Sequence, residues 1–470
     1  MTAFLKIIKA GLEANFHNMT IFKIRLIAAF AVIFTAMGYG TAMAADISVS
    51  ITLEQCEQDA VNNSAKLRQL NSQILALEES VNAAHSAYFP SITLDAQGGW
   101  VSEVPEMKIG AMSMKYGDNW SYSAGPAAKY ILYDGKGRSS RENAQKAALK
   151  AKKQEAEYAE KQIRMQARQA YFALQQNLQK TYLINSQIEL ARKQLKDLNS
   201  AYQAGTKTPL DVLIAKKQVN AALAKMTEAR SGLASALRVL FRIAGTDYGI
   251  NPEYPLDKRL AKASLPGNSS SLIDADSIEK TLSSMEHIYG KEFDENSPRL
   301  AALESMKEYY EKLSEAAKSA LSPSAYLSGG AYLQYPNGPV KESVFLGKAG
   351  ASISVPLFEG GKSSSQTKAH KHSAEAASFE KKDAESSLKN IFLTAKDRIY
   401  ALSVEEDILK NMEQDSAETA KLAYEAYKAG TVTFFEVDNA NVQLLECRMS
   451  LSDMRIKKLN ALAIIDSLGR

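Results

Sequence analysis

The chain has 470 residues, of which 57 are Lys or Arg and 53 are Asp or Glu, leaving a formal charge of +4. A balance so near neutral lacks the basic surface that nucleic acid demands, so no nucleic-acid partner is expected. With 25 Gly and 12 Pro the chain is neither collagenous nor disordered, and 45% hydrophobic content is enough to bury a core.

Lys23 and Arg25 precede an uncharged apolar run over 26–38 (LIAAFAVIFTAMG), whose length suits the h-region of a signal peptide better than a membrane span. Ala42 and Ala44 then fit the A-x-A cleavage pattern, which predicts a signal peptide over 1–44. The rival reading, a retained anchor, is weakened by Gly38, Gly40 and Thr41 at the end of the run. The stretch ahead of Met19 is long for an n-region, so Met1 and Met19 both stand as start codons. Leu53-Glu54-Gln55-Cys56 is a poor lipoprotein box, because Glu54 and Gln55 occupy positions that need small residues; no lipid is expected on Cys56.

Past the signal the sequence is written twice. Asn63-Ser64-Ala65-Lys66-Leu67 aligns with Asn296-Ser297-Pro298-Arg299-Leu300 at an offset of 233, which also carries Pro90 onto Pro323 and Leu94 onto Leu327. Tyr133-Asp134-Gly135 then falls on Phe358-Glu359-Gly360, and the AYQAGT ending at Thr206 on the AYKAGT ending at Thr431, both at an offset of 225. An offset that stays constant between those last landmarks marks a segment of fixed length, as a rigid helix requires. These matches define a first repeat over 45–245, a linker over 246–274 and a second repeat over 275–470.

Each repeat has three parts. Helix-forming stretches at roughly 52–88 and 275–320 end at Pro90 and Pro323. Alternating strands follow, at about 91–103 and 119–133, then 324–335 and 343–357. Ile92, Leu94, Ala96, Gly98 and Trp100 share one face with polar residues between them, as do Leu327, Leu333, Phe345 and Ile353 in the second copy. Such a face packs on a core or meets lipid; alternation alone leaves both open. Trp100, Trp120, Tyr122, Tyr332 and Tyr335 near the strand ends suit the second.

The third part is a very long helix. No Pro or Gly occurs from Ser139 to Gln203, which at 1.5 Å per residue spans about 100 Å. Ile163, Ala170, Ile184, Ala191 and Leu198 recur at one heptad position, and Ala167, Leu174, Ile188, Leu195 and Tyr202 at another, with Asn177 and Thr181 as breaks. Leu388, Ala395, Leu402, Leu409, Phe392 and Ile399 continue the seam in the second copy, with Glu406 and Glu413 as breaks. Gly205 and Gly430 end the two helices, and the chain reverses there into an antiparallel neighbour.

No nucleophile-base pair, phosphate loop or zinc spacing appears, so no catalytic residue, cofactor or metal is expected; His370-x-His372 reads as a solvated helix face. Asp211 and Glu436 sit at equivalent places beyond the tips, with Asp438 and Asn439 following the second. Acids near helix N-termini stabilise the dipole by about 0.3–1 kcal/mol. The functional alternative is that symmetry gathers them into a ring around a pore.

The prolines leading into strands (AYFPSITL, ALSPSAYL), the turns ILYDGKGR and VPLFEGGK, and the AYxAGT tips followed by LDVL and FEVD together resemble the TolC family of outer-membrane efflux and type I secretion channels. The resemblance implies a mainly α fold with β: two repeats of helix, β-hairpin, long coiled-coil helix and return helix. It implies a homotrimer in the outer membrane whose four strands per protomer make a 12-stranded β-barrel, continued into the periplasm by an α-helical barrel. It turns the undecided hairpins into lipid-facing strands. A single protomer would leave strand edges open, which the bilayer forbids. The implied partners are a periplasmic adaptor (membrane fusion) protein, an inner-membrane transporter and outer-membrane lipid. The implied adaptor-contact tips are Ala204, Gly205, Thr206, Ala429, Gly430 and Thr431, and the implied pore entrance is Asp211, Tyr427, Glu436 and Asn439. The family's locking Arg falls at Val432, with Lys207 as a substitute, and its second acidic ring falls at Asn439. By helix rise Cys56 and Cys447 would stand roughly 20 Å apart along such a tunnel, beyond the ~7 Å that a disulfide allows. The rivals are a periplasmic coiled-coil adaptor, disfavoured by two equivalent hairpins, and a structural coiled coil of the envelope.

Overall fold

The structure is a computed structural model and describes residues 49–110, 112–251 and 273–470. The expected signal peptide and most of the expected linker lie outside the described residues. The first pass of the chain runs β1 (Val49–Ile51), α1 (Leu53–Asn63), α2 (Ala65–Ser86), β2 (Ser91–Trp100), a small hairpin β3 (Glu106–Ile109) and β4 (Met112–Lys115), β5 (Trp120–Tyr133), α3 (Gly137–Gln203) and α4 (Pro209–Ala244). The second runs β6 (Ile273–Ala275), α5 (Ile278–Met285), a 3-10 turn at Glu286–Gly290, α6 (Pro298–Ser319), β7 (Ser324–Tyr335), β8 (Val344–Ser354), α7 (Lys362–Ala429) and α8 (Phe434–Leu468). Helix, hairpin, long helix and return helix therefore occur twice.

The helix expected over 52–88 is broken at Ser64. Its backbone is extended (ψ 115°), its N–H closes α1 on the Val61 carbonyl, and its hydroxyl accepts the Leu67 N–H to open α2. Ser297 precedes α6 at the equivalent place with ψ 148° but makes no side-chain cap bond, its hydroxyl being buried without a partner, and α2 and α6 are both 22 residues long. The Asn-Ser match between the repeats is thus a helix start. The 275–320 stretch is likewise not one helix but β6, α5, the 3-10 turn and α6.

The main sheet is antiparallel in the order β2-β5-β7-β8, so the two hairpins join through β5 and β7. Its register aligns the apolar alternation of every strand: Leu94 lies opposite Pro126, Trp100 opposite Trp120, Ala124 opposite Leu333, and Leu333 opposite Phe345. One face is consequently apolar throughout and open, with Leu94 80% and Ile353 76% exposed. The other face carries Thr93, Asp95, Lys129, Ser328 and Lys348. β2 and β8 are unpaired edges.

α3 has 67 residues and α7 has 68. Along the α3 seam Ala170, Leu174, Ile184, Ile188, Ala191 and Leu198 are buried, as predicted. The Thr181 break is satisfied locally, its hydroxyl donating to the Asn177 carbonyl at 2.7 Å, while Asn177 donates to the Ala173 carbonyl at 2.8 Å. Gly232 on α4 faces Asn177; a Cβ there would sit 2.6 Å from its Oδ1. At Glu406 the break is ionic: Arg455 Nε lies at 3.2 Å, Lys410 Nζ at 3.2 Å and Lys458 Nζ at 3.4 Å.

The largest core lies partway along the shaft, where β1 and β6 pair in parallel. Ile51 and Ile273 meet Tyr171, Phe172, Leu237, Phe392 and Leu459 there. Tyr171 Oη donates to the Ile51 carbonyl and accepts the Asp276 N–H, both at 3.1 Å. Arg168 ties α1 to the end of α8 by pairing Glu57 at 2.6 Å and Asp466. Cys56 is buried in this core beneath Tyr248 Oη, and burial pushes its thiol up to about 11. Cys447 lies elsewhere, its Sγ against the Leu409 carbonyl between α7 and α8.

The two short helices are not equivalently housed. α6 is wedged between α3 and α7, whereas α2 packs along α3 with its other side open. Leu70 is buried on α2, but Leu75 is 63% exposed.

Candidate functional site at the helix-hairpin tips

Both tips are built by the same chemistry. Gly205 and Gly430 take φ of +71° and +79°, the left-handed turn that ends a helix and that side chains adopt at a cost. The Thr206 N–H then bonds the Ala201 carbonyl and the Thr431 N–H the Ala426 carbonyl, both at 3.0 Å. Each threonine hydroxyl donates to that same carbonyl, at 2.9 and 3.0 Å. Ala204 and Ala429 complete the exposed turns.

The return helices open on acids. Asp211 Oδ2 accepts the Thr208 N–H at 3.2 Å, and the Asp211 N–H donates to Thr208 Oγ1 at 3.3 Å. Glu436 Oε2 accepts the Thr433 N–H at 3.1 Å. Both carboxylates therefore cap helices, contributing about 1 kcal/mol each. Asp211 is half-buried, while Glu436 and Asn439 are exposed.

Between the tips lies a small apolar core of Leu198, Ala215, Tyr427, Phe434 and Val437. Tyr427 and Phe434 meet edge to face at 5.3 Å, and Val432 packs at the margin. Lys207 Nζ reaches across from the first tip, donating to the Tyr427 carbonyl at 3.0 Å and standing 3.9 Å from the centre of its ring. Burial, and then the neighbouring Asp211 carboxylate, push the Tyr427 phenol up to about 12. The buried Tyr427 hydroxyl has no hydrogen-bond partner. It and the Asp211 carboxylate are therefore neighbours but not bonded.

Asp211, Tyr427 and Lys207 thus come together within one chain, while Glu436 and Asn439 stand exposed on the first turns of α8. Phe434, which wedges the tips together, is a residue the sequence analysis misses; its only signal is an aromatic immediately after the cap. Asp438 is also more than a follower of Glu436. Burial raises its carboxyl against the pull of Lys217, and its Oδ1 has no hydrogen-bond partner.

A sheet with an open apolar face, a helical shaft about 100 Å long and two matched hairpin tips together define an outer-membrane duct that reaches into the periplasm. The sequence signature of the outer membrane efflux protein family matches residues 57–246 and 291–468, and the chain belongs to that family. It is 26% identical over 415 residues to the outer membrane protein TolC of Vibrio cholerae, covering 86% of this chain and 87% of that one. Its fold is similar to that of the outer membrane protein VceC from Vibrio cholerae, with a TM-score of 0.69 at 17% identity over 89% of this chain and 96% of that one. The open-state MtrE outer membrane channel of Neisseria gonorrhoeae superposes with a TM-score of 0.63 at 16% identity, over 92% and 93% of the two chains. The protein is an outer-membrane efflux channel.

Proposed function

We propose that three copies of the chain close into one exit duct, whose tips dock a periplasmic adaptor coupled to an inner-membrane transporter. The cargo is small molecules or polypeptides. The observation that carries closure is the unequal housing of α2 and α6. α6 fills the cleft between its own long helix and that of the preceding repeat, so symmetry asks α2 to fill the same cleft against α7 of a neighbouring copy. The sheet asks the same, since β5 meets β7 across the repeats and β8 has only the next copy's β2 to meet. Two copies would give eight strands, an interior that side chains fill; three leave a passage.

Docking at the tips is supported by their exposure at the far end of both hairpins and by the chemistry they share. The carboxylates of Glu436, brought together by threefold symmetry, would set the charge of the periplasmic entrance, with Asp211 and Tyr427 beside it and Asn439 diluting a second ring.

A cross-link tests closure. Ser305 Oγ and Gln154 Oε1 lie 2.7 Å apart where α6 meets α3. The offsets of 233 and 225 carry this pair to Ser72 and Phe379, and Phe379 is 67% exposed in one chain. A Ser72→Cys, Phe379→Cys double variant is expected to run as a covalent trimer without reductant. Each single variant stays monomeric after heating, and a double variant that did the same would sink the ring.

A further inference from the structure

We propose that the polar face of the sheet holds a binding groove for flat organic polyanions, with Lys129 and Lys348 as its cationic contacts; this rests on the duct reading above. The charged strand residues of that face are Asp95, Lys129 and Lys348, giving two cations to one anion in each copy. Neither lysine has a carboxylate within ion-pair distance among the described residues. Each instead lies against an aromatic ring, Lys129 Nζ 4.5 Å from the centre of Tyr326 and Lys348 Nζ 5.8 Å from that of Tyr332. A tyrosine face holds an ammonium without neutralising it, so both charges remain available to a ligand.

The floor between them is the Tyr332 ring, folded over Gly330. A groove of about 560 Å³ is lined by Asp95, Lys129, Tyr332 and Lys348, with Gly330 and Gly350 beneath. Gly330 leaves room for that ring to lie flat, since a Cβ there would come within 2.6 Å of the Tyr332 hydroxyl and push the ring aside. A flat ring on the floor with an ammonium group on either side suits a planar aromatic molecule bearing sulfonate or carboxylate groups. Three copies around one passage would multiply the excess positive charge, and low-dielectric walls would focus it. The sign is opposite to that of Asp211 and Glu436 at the tips, so the groove should act on an anion presented at the sheet end.

The test uses hydroxypyrene trisulfonate as an open-channel blocker of the purified full-length protein in a planar bilayer, added on the sheet side. Replacing both lysines (K129Q, K348Q) is expected to raise the half-blocking concentration by about tenfold, an effect that weakens with added KCl as exposed charge pairs do. Asp95→Asn, which removes the one carboxylate of the face, is expected to lower it, so the idea stays exposed even if the lysine variant assembles poorly. Unchanged block in both variants, with normal conductance, overturns the groove and leaves the duct intact. A wild-type protein that forms trimers but no conducting channel overturns the duct reading, and the groove with it.

Discussion

The two long hairpins have the same length and the same tip turn, yet they interrupt their apolar seams by different means. In the first, α3 with α4, the break at Asn177 and Thr181 is neutral and closed by bonds to α3's own backbone, and Gly232 opposite simply makes room. In the second, α7 with α8, Glu406 is held by Arg455 and Lys458 from the partner helix and by Lys410 from its own, and Glu413 by Arg448 at 2.7 Å. Arg455 also pairs with Glu279 of α5. A neutral break adds little to register, because it asks nothing of its neighbour but space. The ionic one specifies which residues of α8 lie opposite α7 and links that hairpin to the layer partway along the shaft.

The largest expected effect comes from breaking what the hairpins share. A Cβ added at Gly430 would meet no neighbouring atom within 4 Å, so the cost of a side chain at its root is backbone strain and not a clash. Gly430→Trp should leave heat-modifiable trimers in the outer-membrane fraction while abolishing pump-dependent efflux, read as cell resistance to a pump substrate. Efflux at normal levels would show that the tip is not the docking surface.

Removing Glu406 sharpens the difference between the seams. Glu406→Ala takes the carboxylate from Lys410 and Lys458 and leaves Arg455 with Glu279 alone, and should cost about 3 kcal/mol, whereas Thr181→Val, which loses one local bond, should cost about 1 kcal/mol. Thermal unfolding of both variants in detergent checks the ratio. Burial pulls the Glu406 carboxyl upward, but Lys410, Arg455 and Lys458 outweigh it and hold it below the ordinary 4.5. A carboxyl whose folded value is depressed stabilises fully above 4.5 and loses that stabilisation as pH falls through its folded value. The gap between wild type and Glu406→Ala should therefore be complete at neutral pH and close on acidification below 4.5. The Thr181→Val gap should not move.

A smaller change is expected at the entrance. Glu436 is the exposed capping acid and Asp211 the half-buried one, so Glu436 contributes more to the field that a passing ion meets. Glu436→Gln should weaken cation selectivity in bilayer conductance and reduce block by multivalent cations. Unchanged selectivity would leave Glu436 a helix cap alone.

Period-two alternation made the sheet and its apolar face legible, because a register that aligns four alternating strands puts most of their apolar residues on one side. Heptad spacing did the same for Ala170, Ile184 and Leu198. Ser64 was not legible as a break, since serine is tolerated inside helices and the chain on both sides favours helix. The β3–β4 hairpin hid inside a Gly-containing tip, although Met107 and Met114 alternate within it and pair directly. Three-residue strands such as β1 and β6 carry too few side chains to show a period, and their pairing spans the whole first repeat. Arg168 with Glu57 and Asp466 is equally invisible, because nothing local tells a paired charge from a solvated one. At the tips, the turns were readable from Gly and Thr spacing. The meeting of Asp211 with Tyr427 came from family resemblance, and the packing role of Phe434 from the structure alone.

The smallest predicted effect separates two accounts of how the tips hold together. Either the Tyr427 hydroxyl matters, through Asp211, or the ring and backbone of Tyr427 matter, through Lys207. The hydroxyl is buried without a hydrogen bond of good geometry, so removing it sacrifices no bond and relieves a desolvated group. The Lys207 ammonium keeps its carbonyl acceptor and still finds an aromatic face when the ring is phenyl. Tyr427→Phe should therefore change stability by less than about 1 kcal/mol and leave closed-state conductance near that of wild type. Lys207→Gln loses the cation over the ring and should raise conductance more than Tyr427→Phe does. The reverse order, with Tyr427→Phe the leakier channel, would mean that assembly brings Asp211 onto the hydroxyl and that the lock is the phenol rather than the lysine.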